Sequence, residues 1–180
     1  MLRLLYVVLV GLVGAGIVHI AVLLLLPVVS ERDAWSRLSQ AGGLYTVAPL
    51  YGAQADRRVL RSADPLFQAV ACRFDLADGI AHIRGVGHLP YWSVSVYDRG
   101  GRNIYSFNDR SSSVGMLDLV VLTPAQMLEV RKDLPEAYAE SVFVEAEIGE
   151  GIAVVRGFVP DASWSPTVAG QLGSLACSAE

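Results

Sequence analysis

The residues of this chain that could do chemistry concentrate in one stretch, "YWSVSVYDRGGRNIYSFNDR", from Tyr91 to Arg110. Its alternation places Tyr91, Ser93, Ser95 and Tyr97 on one face of a strand, and the returning arm ends in Asn108, Asp109 and Arg110. Such a face offers rings to stack on, fixed donors and acceptors, and one cation. That set suits the floor of a site for a small polar ligand, with His88 just ahead of it. The competing reading is structural: a second layer covers the face, and its hydroxyls satisfy buried backbone.

Other chemistries lack their parts. Beyond the first apolar segment only His82 and His88 are available as imidazole ligands. A catalytic metal wants three protein ligands, so an acid such as Asp109 would have to be borrowed, and no spacing argues for it. No metal and no cofactor are expected. No G-x-S-x-G elbow or phosphate-binding loop occurs. Ser111, Ser112 and Ser113 read as a loop, and the carboxylate pairs Asp75/Asp78 and Glu145/Glu147 as turn and surface charge. Two cysteines, Cys72 and Cys177, allow one disulfide if the domain is exported, or two buried thiols if it is not.

The segment that must hold these residues at their address is easier to read. From Leu4 to Val29 no residue is charged. As a helix that run spans the hydrocarbon core of a bilayer, about 30 Å thick, with residues to spare. It is longer than the apolar region of a cleavable signal peptide and has no Ala-x-Ala close, so an uncleaved anchor over residues 1–29 is expected. Gly11 and Ala15 lie four apart and could form a small-residue seam for helix packing; His19 reads as a tolerated imidazole. Arg3 before the helix and Arg32 and Arg37 after it nearly balance, so charge does not fix orientation.

Residues 30–63 read as a juxtamembrane helix, closed by Gly42-Gly43, and a linker with room for one short strand; residues 64–180 read as an antiparallel β-rich domain. Beyond residue 30 the chain carries 18 acids and 13 bases, a formal −5, and no basic stripe, so nucleic acid is not an expected partner. Ala69–Leu76 and Ile80–Arg84, joined by Ala77-Asp78-Gly79, have the pattern of a hairpin. In the Tyr91–Arg110 hairpin a loop of two or four residues pairs Trp92 with Phe107, Val94 with Tyr105 and Val96 with Asn103; a three-residue loop would mix the faces. Val114–Leu122 continues as a strand. "LTPAQM" starts a helix with Thr123 as N-cap and Gln126 as capping-box partner. A second hairpin closed through Gly149–Gly151 pairs Ala146 with Val154 and Val142 with Phe158, and Ser165-Pro166 starts a last helix. The sum is an α+β chain: one transmembrane helix, then about six antiparallel strands with two or three short helices.

"DPLFQAVACRFDLADG", followed by the Tyr91–Arg110 stretch, resembles bacterial membrane-anchored envelope proteins built from the paired domains of unknown function catalogued as twelve fifty-four and twelve fourteen, the first more closely. The shared features are Asp75-Leu76-x-Asp78-Gly79, the aromatic strand ending Tyr97-Asp98, and Asn108-Asp109-Arg110. Ile80 stands where longer members often carry proline, and the chain is too short for both domains. The resemblance implies a single-pass protein of the inner membrane with a periplasmic C-terminal domain, and a companion protein bearing the missing domain. It brings no reaction.

The expected function is therefore a membrane-anchored envelope module that contacts a partner protein. The alternatives are a small polar-ligand binder or hydrolase using His88, Tyr91, Tyr97, Asn108, Asp109 and Arg110, and a structural membrane subunit acting through Gly11 and Ala15.

Overall fold

A computed structural model of the chain describes residues 1–50, 64–85, 87, 89–112 and 115–180, without the side chains of 27–34. The chain is α+β: an N-terminal apolar helix followed by two mainly antiparallel sheets and short helices. Helix α1 runs unbroken over Leu2–Ala41, so the apolar run and the helix expected after it are one element rather than two. Its span Leu2–Leu26 has mean hydropathy 2.7 and is 0% buried; Gly11 has no atom within 4 Å of where a Cβ would stand. The Gly42 N–H donates to Leu38 O and ends the helix, as the Gly-Gly pair predicts.

Among the described residues nine strands follow: β1 Val47–Pro49, β2 Phe67–Asp75, β3 Ala81–Gly85, β4 Trp92–Asp98, β5 Asn103–Asn108, β6 Leu117–Leu122, β7 Val142–Glu145, β8 Glu150–Phe158 and β9 Ala176–Ala179. Sheet A has the order β1-β2-β8-β4-β5 and sheet B the order β7-β6-β3-β9. All pairs are antiparallel except β6 with β7. The inner faces meet in one core in which Phe74, Val94, Val96 and Val155 of sheet A pack with Ile83, Leu117, Leu119 and Val121 of sheet B. The disulfide Cys72–Cys177 crosses this core from β2 to β9, with Cα atoms 6.6 Å apart. Of the two readings the cysteines allowed, the bonded one holds.

Three connections differ from the sequence reading, each for a local reason. The Asp-Gly turn does not close a hairpin: β2 pairs with β1 and β8, and β3 with β6 and β9, so residues 76–80 form an arch between the sheets. Gly79 sits at φ +143° with Glu180 O against the place of a Cβ, which leaves glycine the only easy occupant. The second hairpin does not form either, because β7 pairs in parallel with β6 while β8 enters sheet A as its central strand. Gly151 can sit there because it has no Cβ to collide with the Phe74 ring.

The third difference is register. The β4–β5 loop has three residues, Arg99–Gly101, with Asp98 N–H donating to Arg102 O and Gly101 at φ +81°. Such a loop should turn one face over. It does not, because a bulge at Val96/Tyr97 adds one residue to β5 and restores the parity, setting Val94 opposite Phe107 and Val96 opposite Tyr105. The faces are those expected; the partners are shifted by two.

The strands exceed the six or so expected, because β9 after the last helix was not read from the sequence; the two helices match. Helix α2, Pro124–Val130, carries the complete Thr123–Gln126 capping box. Helix α3, Ser165–Gly173, buries Val168 and Leu172. Strand β1 is the short strand for which the linker had room. His88, part of the Gly85–Gly87 loop, Ser113, the start of the Val114–Leu122 strand and most of the Tyr45–Arg61 linker lie outside the described residues.

Candidate functional site

Each sheet has an outer face, and the two are built differently. On sheet A the outer face is the one formed by β2 from Phe67 through Ala69 and Ala71 to Arg73, by β8 from Ile152 to Phe158, and by β4 from Ser93 to Tyr97, with Tyr91 just ahead of it. One end is covered. Trp35 and Leu38 of α1 pack with Leu50, Ala71, Ile152 and Tyr97. The Trp35 ring lies under two guanidiniums, Arg73 Cζ at 4.9 Å and Arg99 Cζ at 5.4 Å. Arg73 Nη2 also donates to Gly42 O at 2.7 Å, Arg99 pairs with Glu150, and burial lowers the Arg73 pKa despite the Glu150 charge.

Tyr97 is thereby taken into packing under the helix, apart from the other predicted site residues. Tyr91 stands at the opposite end, edge-on to Phe67 with centroids 6.5 Å apart, and Phe67 also packs on Phe158. Between these ends Asn103, Ser106 and Ser95 form a hydrogen-bonded ladder, with both contacts at 2.9 Å. Ser93 pairs directly with Asn108 and with the exposed Arg156. Asn108 Oδ1 accepts from Arg110 N and caps a single 3-10 turn, Asp109–Ser111. Asp109 Oδ1 is buried without a hydrogen bond, and Arg110 is exposed. The structure thus sets Ser93 opposite Asn108, with Asp109 and Arg110 following in the capped turn, and leaves Tyr97 elsewhere.

The outer face of sheet B holds a denser cluster. His82 on β3 is fully buried at 0% exposure, under an apolar lid of α2 and the segment after it: Met127, Val130, Tyr138 and Phe143. Its Nε2 lies 2.9 Å from Asp118 Oδ1 on β6, and its Nδ1 lies 3.0 Å from Glu180 Oε1 beyond β9. The Tyr138 ring stands edge-on to the imidazole at 5.1 Å, and its hydroxyl donates to Glu180 Oε2 at 3.0 Å. Ser141 Oγ donates to Asp118 Oδ1 at 2.6 Å, and Ser178 Oγ to Glu180 Oε1 at 3.3 Å. The carboxylates themselves reach the surface, with side chains 23% and 32% exposed.

This arrangement shifts titration in the directions its charges demand. Burial pushes the Tyr138 phenol up to about 12, helped by the carboxylate of Glu180 that it donates to. Burial also raises Glu180, but hydrogen bonds from His82 and Tyr138 and the positive charges nearby outweigh it and hold its carboxyl below the usual 4.5. Both ring nitrogens face a carboxylate oxygen of the chain itself, so neither is turned toward a substrate or a metal ion. Among the described residues no group of three or more His, Cys, Asp or Glu side chains converges as a metal site.

His82 was legible as a strand residue, yet its partners were not. Asp118 is 36 residues away and Glu180 is 98 away, and neither sits in a pattern that marks it. The Asp75-Leu76-x-Asp78-Gly79 motif proves to be the arch between the sheets. Asp75 Oδ1 caps Ala77 N, and the Tyr45 hydroxyl donates to Asp75 O at 2.7 Å.

No family model and no curated protein matches the chain. Among solved structures, the VPA0106 protein of Vibrio parahaemolyticus is similar to it, with a TM-score of 0.50 and 12% identity over 65% of this chain and 28% of that one. An uncharacterised protein from Burkholderia cenocepacia has a TM-score of 0.47 and 14% identity over 74% of this chain and 36% of that one. The chain therefore spans roughly a third of the length of these structures, and the first likeness is one of fold alone.

Proposed function

We propose that this chain is a single-pass, membrane-anchored module of the bacterial cell envelope whose β domain contacts a partner protein, with the domain on the periplasmic side. The observation that carries this reading is α1. Its span Leu2–Leu26 is apolar and 0% buried, while the same helix ends with Leu38 buried against sheet A. One element is thus made for lipid at one end and for the domain at the other. The Cys72–Cys177 disulfide favours an oxidising compartment for the domain. The resemblance to the paired envelope domains points the same way, and the shared fold covering 28% of a longer protein leaves room for a companion carrying the rest.

The test is alkaline extraction of membranes from cells making the full chain, followed by intact mass of the retained protein. Retention at the full mass supports the anchor. Release by alkali, or a mature chain starting after residue 26, overturns it. A photo-crosslinking residue at Ser93 then asks for the partner, and its failure to capture any protein counts against the interaction role.

A second reading is a small polar ligand seated at Ser93, Asn108 and Asp109, favoured by the buried Asp109 Oδ1 that accepts no hydrogen bond. Ligand screening by thermal shift tests it. A hit that survives Asp109→Ala combined with Arg110→Ala would remove the site from consideration.

A further inference from the structure

Both ring nitrogens of His82 face carboxylate oxygens at hydrogen-bond distance. A neutral imidazole has one N–H and one lone pair. One of the two contacts would then set a lone pair of the fully buried ring against a carboxylate at 3.0 Å or less. The neighbouring hydroxyls do not relieve this, because Tyr138, Ser141 and Ser178 all donate to the carboxylates rather than to the ring.

We propose that His82 carries both ring protons in the folded chain and that its positive charge is the clasp that seats the last strand: a proton-dependent latch between β9 and the rest of sheet B. The clasp joins three strands at one point, β3 through the ring, β6 through Asp118 and β9 through Glu180. Arg84 of β3 is the other cation near it, 3.9 Å from Glu180 Oε1 and half exposed. Ser178 faces it from β9, and Tyr138 and Ser141 from the segment after α2. What α2 and β7 turn toward it is apolar: Met127, Val130 and Phe143.

The sign follows from the charges. The imidazolium is present on the acid side, so the latch holds there and opens as pH rises and the ring proton leaves. At the far acid end it weakens again. Glu180 is held below 4.5, so its contribution is complete above that pH and is lost as pH falls through the lower folded value. Opening is local, since Cys177 remains tied to Cys72. The parts free to swing are Ser178–Glu180 and the reciprocal Ile80–Glu180 backbone pair, with N···O distances of 2.8 and 2.9 Å.

The experiment uses the full chain in detergent with its disulfide intact. Ring nitrogen shifts of His82, assigned by their disappearance in His82→Gln, report its protonation. Amide exchange of Ser178–Glu180, the end of β9 and the residue after it, across a pH series, referenced to β2 to remove the intrinsic rise with pH, reports the seating of β9. The expected result is a doubly protonated ring wherever β9 is protected, and about tenfold or greater loss of β9 protection as that signature vanishes. Glu180→Gln, an exposed-side change that the fold can carry, should lower β9 protection without moving β2. A neutral ring in the protected state, or β9 protection that stays at its reference through the loss of the ring proton, overturns the latch.

Discussion

The outer face of sheet A and the outer face of sheet B are each half hidden, but by different means. Sheet A is covered by the end of the long apolar helix α1, and the contact is an aromatic ring held beneath two guanidiniums beside ordinary apolar packing. Sheet B is covered by the short α2 and the segment behind it, and beneath that lid lie His82 and its two carboxylate partners. A face whose cover comes from elsewhere keeps its polar residues near the surface. A face covered by its own connection can bury an ionisable group, because the same short stretch supplies the hydroxyls that satisfy the carboxylates. Ser141 and Tyr138 do this for Asp118 and Glu180.

Breaking what the two sheets share should cost most. Cys72→Ser with Cys177→Ser opens a loop of 105 residues. It should lower stability by about 4 kcal/mol in denaturant unfolding, an amount that reduction of the wild type should reproduce. Next comes sheet B alone. His82→Ala leaves two carboxylates facing an apolar lid and should cost about 3 kcal/mol, with near-ultraviolet circular dichroism reporting the loosened Tyr138. The value sits at the low end for a broken buried pair because both carboxylates reach water. For sheet A alone, Trp35→Ala removes a half-buried ring and two cation–π contacts. A loss of about 2 kcal/mol is expected, with changed exchange in β4 and β8 and none in β9. If Trp35→Ala loosened β9 as well, the two faces would be one cooperative unit and the contrast drawn here would fail. The smallest effect belongs to the lid. Thr123→Ala removes the α2 N-cap and should cost about 1 kcal/mol by thermal unfolding, with its largest local effect on sheet B.

The same contrast explains what could be read ahead of the structure. Alternation in Trp92–Asp98 separates an inner from an outer face whatever the partner strand, so both faces of β4 were legible. The cap at Thr123 and the start at Ser165-Pro166 are local chemistry and stand as expected. Which strand pairs with which is not local. Asp78-Gly79 turns the chain equally well into a hairpin or an arch, and burial on both faces of β8 decided where that strand went. The candidate site was half legible for the same reason. Asn108, Asp109 and Arg110 are sequence neighbours and meet Ser93 across one hairpin, whereas Tyr97 was claimed by a helix about 60 residues earlier in the chain. The His82 cluster was out of reach, because its three members come from β3, β6 and the residue after β9, which share no motif.

The bulge that corrects the β4–β5 register has a consequence for how this hairpin can change length. The present arrangement is a three-residue loop plus one surplus residue in β5. A deletion of one tip residue can be absorbed by straightening the bulge, with Val96 still opposite Tyr105 and every inward side chain still inward. The strand carries a spare place, so the tip can be trimmed by one while the sheet behind it stays in register.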